Sequence, residues 1–477
     1  MTRNLTLPVG PILFLDDLCD DEAQVSALFV TGPGEEPAPI ETGARTFRPA
    51  ELARYDRGTV WRTRFRLPTG RASEYCWNGE RFEVALDLSG DLRLGYVSCN
   101  GEEVGDMERA QSERNAMWER LCSQHRKRPL ALLLHGGDQL YADELTQGHP
   151  LSDGWPDRIP RDPGRADLVD LRHYLRERFF ERYVALLAAP PFAWLGARVP
   201  SLMQWDDHDI CDGWGSLRRS RTYNPVGQTL FTVAREGFLV FQQAARDVDL
   251  PPRFLDRDGV HLGWTVHGPG LRIVAPDLRS ERTRRDIMGA AGWQAIEAEA
   301  RRDFEGHTFL MSSVPLLGPR LSLLELLMVS IPRMQKYEDD LRDQWQSRAH
   351  RDEWRRMLRI VRDMARRDGH GITAISGEIH LAARAVMDLG QGLELHQLTA
   401  SGIAHRPPPK GWARVLGALA WLGEDPLPEH PIRIPPLPGQ KARYVAERNY
   451  LLLERTNSKW QARWDLERSG MTAPLNL

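Results

Sequence analysis

The sequence predicts an α/β protein with a small antiparallel β portion ahead of it. Three observations carry this. From about residue 90, short apolar runs alternate with long helix-patterned stretches, the rhythm of a sheet with helices on its faces. Before residue 88 the chain instead alternates apolar and polar residues at period two, between turn-rich segments such as TGPGEEPAPIETG. After residue 405 it turns Pro-rich (HRPPPKG, then PLPEHPIRIPPLPG) and closes on two alternating runs joined through Thr456-Asn457-Ser458.

The expected divisions are a β-sandwich-like domain over 1–88, an α/β domain over 89–405, and a connector with a C-terminal β-hairpin over 406–477. In the first, residues 25–31, 59–67 and 81–86 are the strand candidates. In the second they are 92–99, 130–138, 201–209, 271–279, 307–315, 371–380 and 393–403, each apolar and followed by polar residues. Helix patterns lie at 168–189, 224–246 and 335–367. The hairpin strands are 444–455 and 459–467.

Composition narrows the function. The 477 residues carry 63 Lys+Arg against 66 Asp+Glu, a net charge of -3 that argues against nucleic-acid binding by bulk basicity. Only Lys127, Lys336, Lys410, Lys441 and Lys459 are lysines, so the positive charge is nearly all arginine. That bias reflects coding composition or the use of guanidinium for phosphate. The five cysteines are scattered without a CxxC pair, which speaks against a disulfide framework or zinc knuckle. The N-terminal residues match neither a Sec-type nor a twin-arginine leader, and the apolar runs at 321–331 and 415–422 are too short to span a bilayer. A cytoplasmic protein without a transmembrane segment is expected.

Polar residues fall at the ends of the apolar strands. The runs from 92 onward end in Cys99-Asn100, Gly137-Asp138-Gln139-Leu140-Tyr141, Asp206-Asp207-His208-Asp209, Asp277-Leu278-Arg279 and Gly377-Glu378-Ile379-His380. Parallel strands bring such ends to one rim of a sheet, where ligands bind. Converging carboxylates repel unless cations sit between them. Carboxylate, imidazole, thiol and phenol groups around two or more ions suit in-line displacement at phosphorus.

The motifs SCN (98–100), GDQLYAD (137–143), WDDHDICDGWGS (205–216), APDLRSER (275–282), SGEIH (376–380) and LTASGI (398–403) resemble the PhoD-like branch of the calcineurin-type metallophosphoesterases. The resemblance implies a four-layer αββα metallophosphoesterase sandwich, with the N-terminal β domain before a catalytic domain at 89–405. It implies that Asp138 bridges two metals, that Tyr141 and Cys99 bind iron, and that Asp207 binds the second metal. Glu378 and His380 would then be ligands of different metals, and His208 the catalytic histidine. Arg279 and the backbone of 213–216 are further phosphate contacts on this reading, with a salt bridge from Arg279 to Asp277 or Glu281 as the alternative. A thiolate with a phenolate suits Fe(III), and the oxygen-rich side suits one or two divalent ions, Ca, Mg or Mn.

Three departures qualify these roles. Relatives usually have aspartate where Glu378 stands and often glutamate where Asp209 stands, and FLMSSVP (309–315) offers only Ser312 and Ser313 where the superfamily usually has a histidine. The expected activity is phosphate-ester hydrolysis by a metal-bound hydroxide, of the alkaline phosphatase D type, on a phosphate-ester substrate. The alternatives are a phospholipase D-like phosphodiesterase acting on lipid head groups and a catalytically silent member that binds nucleotides or a partner. A cysteine hydrolase using Cys99 as nucleophile is a third. The apolar segment 412–422 is either a buried helix or a lipid contact.

Overall fold

Leu92–Val97, Leu132–Gly136 and Ser201–Gln204 are buried along their whole length, as parallel strands covered on both faces must be. They pair in parallel, with Leu94 opposite Leu132 and Ser201 opposite Leu133. The structure, a computed structural model, describes residues 5–19, 21–160, 162–319 and 343–477.

Both ends of the chain extend this sheet. Val9–Cys19 joins Ser201–Gln204 in parallel through Phe14 and Ser201, and Glu22–Thr31, Gly58–Pro68 and Ala50–Tyr55 continue outward antiparallel. At the other edge the hairpin Asn449–Thr456/Lys459–Leu466 pairs with Leu92–Val97. A separate four-stranded sheet takes Ile40–Thr42, Arg45–Phe47, Ser73–Trp77 and Glu80–Val84. The segment before residue 88 thus divides between two sheets, and the boundary expected there does not separate it from the central sheet. Val9–Cys19 had no counterpart among the strand candidates.

A second sheet carries Leu271–Ala275, His307–Met311, Ile372–Ser376 and Leu393–Ala400 in parallel. Trp264–Gly268 and Ala382–Gly390 flank them antiparallel. Alternate side chains go to two cores, as the pleat requires. Ile273, Phe309, Ile375 and Leu398 share one core with the first sheet. Val274, Leu310 and Ala374 face the other, against Trp354, Leu358 and Val361 of the helix Arg351–Asp368.

The helices differ from expectation mainly at their ends. The first is Arg165–Leu187, and the pattern at 224–246 splits into Pro225–Gly237 and a π turn at Phe238–Gln242. Of the helix expected at 335–367, Arg351–Asp368 is observed, and residues 335–342 lie outside the described residues, as does the apolar run 321–331. Among the described residues no helix is long and apolar enough to cross a membrane.

Candidate metal centre

The strands stop short of the polar residues that follow them, and the backbone turns sharply there. Cys99, Asp138, Glu378 and His380 all have positive φ, at 54, 54, 67 and 52°. Left-handed backbone costs a non-glycine residue roughly 1–2 kcal/mol, so four such residues on two neighbouring sheets mark an arrangement the fold sustains against strain. Gly137 (φ 105°) and Gly377 make the turns possible. A Cβ on Gly137 would lie 2.6 Å from Asp206 Cβ, and one on Gly377 would lie 2.3 Å from Ser98 Oγ.

The turns bring the predicted residues together. Cys99 Sγ lies 3.5 Å from Asp138 Oδ2 and 3.1 Å from Ser401 Oγ. Ser401 Oγ also accepts the His380 backbone N–H at 2.9 Å. Ligand atoms of Cys99, Asp138 and His380 all fall within 4.8 Å of one another, as do those of Asp138, Asp206 and Asp207. Asp138 therefore belongs to both groups. Tyr141 Oη is 3.1 Å from His380 Nε2, and its ring stacks on His208 at 4.4 Å between centroids. Glu378 joins neither group: its carboxylate accepts from Gln344 Nε2 at 2.6 Å.

Charge in this cluster is poorly compensated by the protein. Burial, then the neighbouring Asp206, pushes the Asp138 carboxyl well above its ordinary range. Burial pushes Asp206 up to about 7 even though Arg279 opposes it. The Cys99 thiol, Tyr141 phenol and Glu378 carboxyl are driven up by burial too, with Asp138, Cys99 and Asp343 respectively adding to it. Asp138 Oδ1 and Asp206 Oδ2 are buried with no hydrogen-bond partner. Orphaned buried carboxylate oxygens beside a thiol, a phenol and an imidazole are the donor set of a metal site, and a bound cation would favour their anionic forms. The residues fit metal ions.

His208 stands apart in its electrostatics. Burial alone would lower its pKa, but Asp143, whose Oδ2 is 3.0 Å from Nδ1, and Asp207 raise it well above the ordinary histidine value. Asp209 lies beneath the site, fully buried. It accepts the N–H groups of Asp138, Leu140 and Asp206 at 2.9, 3.0 and 2.9 Å and Gln242 Nε2 at 2.8 Å.

Arg279 corrects an expectation. It is fully buried, and its Nε donates to Asp206 Oδ1. Its Nη1 donates to Trp214 O at 3.0 Å and Asp343 Oδ1 at 2.9 Å. Neither Asp277 nor Glu281 takes the guanidinium, because Asp277 is already occupied by Trp205 Nε1 and the Leu262 N–H. Arg279 therefore braces the acidic motif from behind and does not reach the cavity. That cavity, about 700 Å³, is lined by Glu103, Asp138, Asp207, His208, Asp212, Asp343, Glu378 and His380 among others, and among the described residues Arg384 is the one arginine on its wall.

Sequence reasoning missed Asp143, Glu103 and His405. Asp143 closes the GDQLYAD motif and was unassigned. His405 lies two residues past LTASGI, and its N–H donates to the Cys99 carbonyl at 3.1 Å. Its ring stacks on His380 at 3.4 Å, and Nε2 is 3.2 Å from Glu103 Oε2.

A family model described as PhoD related phosphatase matches residues 81–337, more than half of the chain. The chain belongs to this family. A solved structure titled "Structure of PhoD" has the same fold, with a TM-score of 0.58 at 10% identity over 100% of this chain and 90% of that one. The uncharacterized protein YGR266W of Saccharomyces cerevisiae is 25% identical over 368 residues, 64% of this chain and 51% of its own length. The chain thus spans about half the length of that curated relative.

Proposed function

We propose that the chain hydrolyses phosphate esters with the help of bound metal ions. The observation that carries this is Asp138, shared between the Cys99/His380 and Asp206/Asp207 groups with one oxygen unpartnered, on the wall of a cavity that also holds His208. Cys99, Tyr141 and His380 would hold a softer or trivalent ion such as Fe(III). Asp207, with Asp206, would hold a divalent one, and Asp138 would serve both. Glu378 is available from the cavity wall. When bound, the ions supply positive charge to the phosphoryl oxygens and acidify a coordinated water.

The protein's own residues account for the rest. A phosphoryl anion entering a cavity whose described lining includes six carboxyl groups meets a repulsive field, so its binding there depends on cations. His208 uses Nδ1 to hold Asp143, which leaves Nε2 to donate. Kept protonated by Asp143 and Asp207, it is suited to give that proton to the leaving oxygen. The Gly213 N–H donates to Asp207 Oδ2 at 2.8 Å and fixes that carboxylate's orientation.

The test is turnover of nitrophenyl phosphate and of bis-nitrophenyl phosphate by metal-replete protein, with metal content measured on the same sample. Hydrolysis abolished by chelation and restored by metal is expected. Absence of turnover of both esters at full metal content overturns the reading.

A further inference from the structure

Part of the cavity lining is not explained by metal-assisted hydrolysis. Besides Asp138 and His208, the lining includes Leu317, Ile379, Trp412, Leu416, Ile434 and Tyr444. These side chains come from separate parts of the chain: the loop after His307–Met311, the turn between Glu378 and His380, the helix Lys410–Leu419, and the segments around 434 and 444. The Pro-rich connector supplies Pro408 and Pro409 to the same wall, so a segment that reads as a linker serves the cavity.

Leu317, Leu416, Ile434 and Tyr444 are buried members of the core around Trp354; Ile379 and Trp412 pack against it, and all six also line the cavity of about 700 Å³. The volume is that of a small-molecule site, and its lining is mixed: acids and histidines together with hydrocarbon and aromatic side chains. Among the described lining residues, Arg384 already donates through Nε to the Pro436 carbonyl at 2.7 Å, Gln346 Nε2 donates to the carbonyls of Pro315 and Leu316, and Gln397 Oε1 accepts the N–H groups of Leu316 and Leu317. A sugar or glycerol group placed there would lose its water for few replacement hydrogen bonds. An alkyl or aryl group would gain by burial.

We propose that the site selects phosphate esters whose organic part is apolar, with that part seated against Trp412 and Leu416. This rests on the phosphoesterase reading and adds a substrate class to it. The experiment is calorimetric binding of methyl-, butyl- and hexylphosphonate to metal-replete protein, repeated on Trp412→Ala and Leu416→Asn. Affinity is expected to rise roughly three- to fourfold per methylene, the value of burying each group, and either variant should flatten that rise. The wild-type series decides even where a variant does not fold. Methylphosphonate bound as tightly as hexylphosphonate overturns the apolar selection while leaving the hydrolase reading intact. Failure to bind any phosphonate, together with no turnover of either nitrophenyl ester, overturns both.

Discussion

Replacing Asp209 by Asn tests how the site is held in shape. Asp209 Oδ2 accepts the N–H groups of Asp138 and Asp206, and Oδ1 accepts the Leu140 N–H and Gln242 Nε2. Burial raises the Asp209 pKa to about 6, so at pH 8 the group is ionised and all four bonds are charge-assisted. Asn has nearly the same shape, so packing is conserved, but one of its two ends is a donor. Whichever way the amide turns, two buried donors lose their acceptor and face an NH₂. At about 1–3 kcal/mol for each unsatisfied buried donor, Asp209→Asn should cost about 2–6 kcal/mol. Because the lost bonds run to the backbone of Asp138 and Asp206, metal content should fall as well. Urea unfolding with metal analysis of the folded protein measures both. A loss below about 1 kcal/mol with an undiminished metal content would show that the 137–140 turn does not depend on this carboxylate.

Three further expectations concern the same region. Asp143→Asn removes the partner that keeps His208 protonated, so the histidine pKa should drop, the alkaline limb of the pH–rate profile should move to lower pH, and kcat should fall by about 10²–10⁴; an unchanged profile refutes the role. Tyr141→Phe keeps the ring on His208 and deletes only the hydroxyl, so a visible charge-transfer band of iron-loaded protein should vanish with little change in thermal midpoint; a surviving band removes Tyr141 from the ligand set. His135, buried between Gln139 and Ser201, has its pKa lowered by burial from 6.5 to about 4. Above pH 6.5 neither folded nor unfolded chain binds this proton; between 6.5 and 4 only the unfolded chain does, so stability falls with pH by roughly 3 kcal/mol at most. His135→Gln should remove that share of the loss between pH 7.5 and 4.5 in urea unfolding, and an identical loss in both proteins counts against it.

Much of the site was legible because the chemistry sits at predictable places. An apolar strand followed by a turn puts the next polar residue on a sheet rim, and this locates Cys99, Asp138, Asp207 and His380 without tertiary information. Other residues carry no such local mark. His405 follows a glycine turn and a Pro-rich run begins after it, so nothing in its neighbourhood distinguishes it from a loop residue. It enters the site because the 403–405 backbone bonds to the carbonyls of Ser98 and Cys99, a contact some 300 residues apart. Val9–Cys19 was missed for a related reason: its burial depends on pairing with Ser201–Gln204, which no local pattern announces.

Arg279 shows the limit most clearly. An arginine after a strand end beside acids reads equally as a phosphate ligand or an ion-pair partner, since guanidinium suits both. Three-dimensional packing decided between them by enclosing it against Asp206, Asp207 and Asp343. The sequence by itself determined the strand–turn rhythm, the residue types at the rim and the near-neutral global charge, because these are properties of short segments and of sums. Only the tertiary structure decided which carboxylates share Asp138's surroundings, which are held by backbone N–H groups, and that a Pro-rich tail lines the cavity, because each depends on atoms brought together from distant parts of the chain.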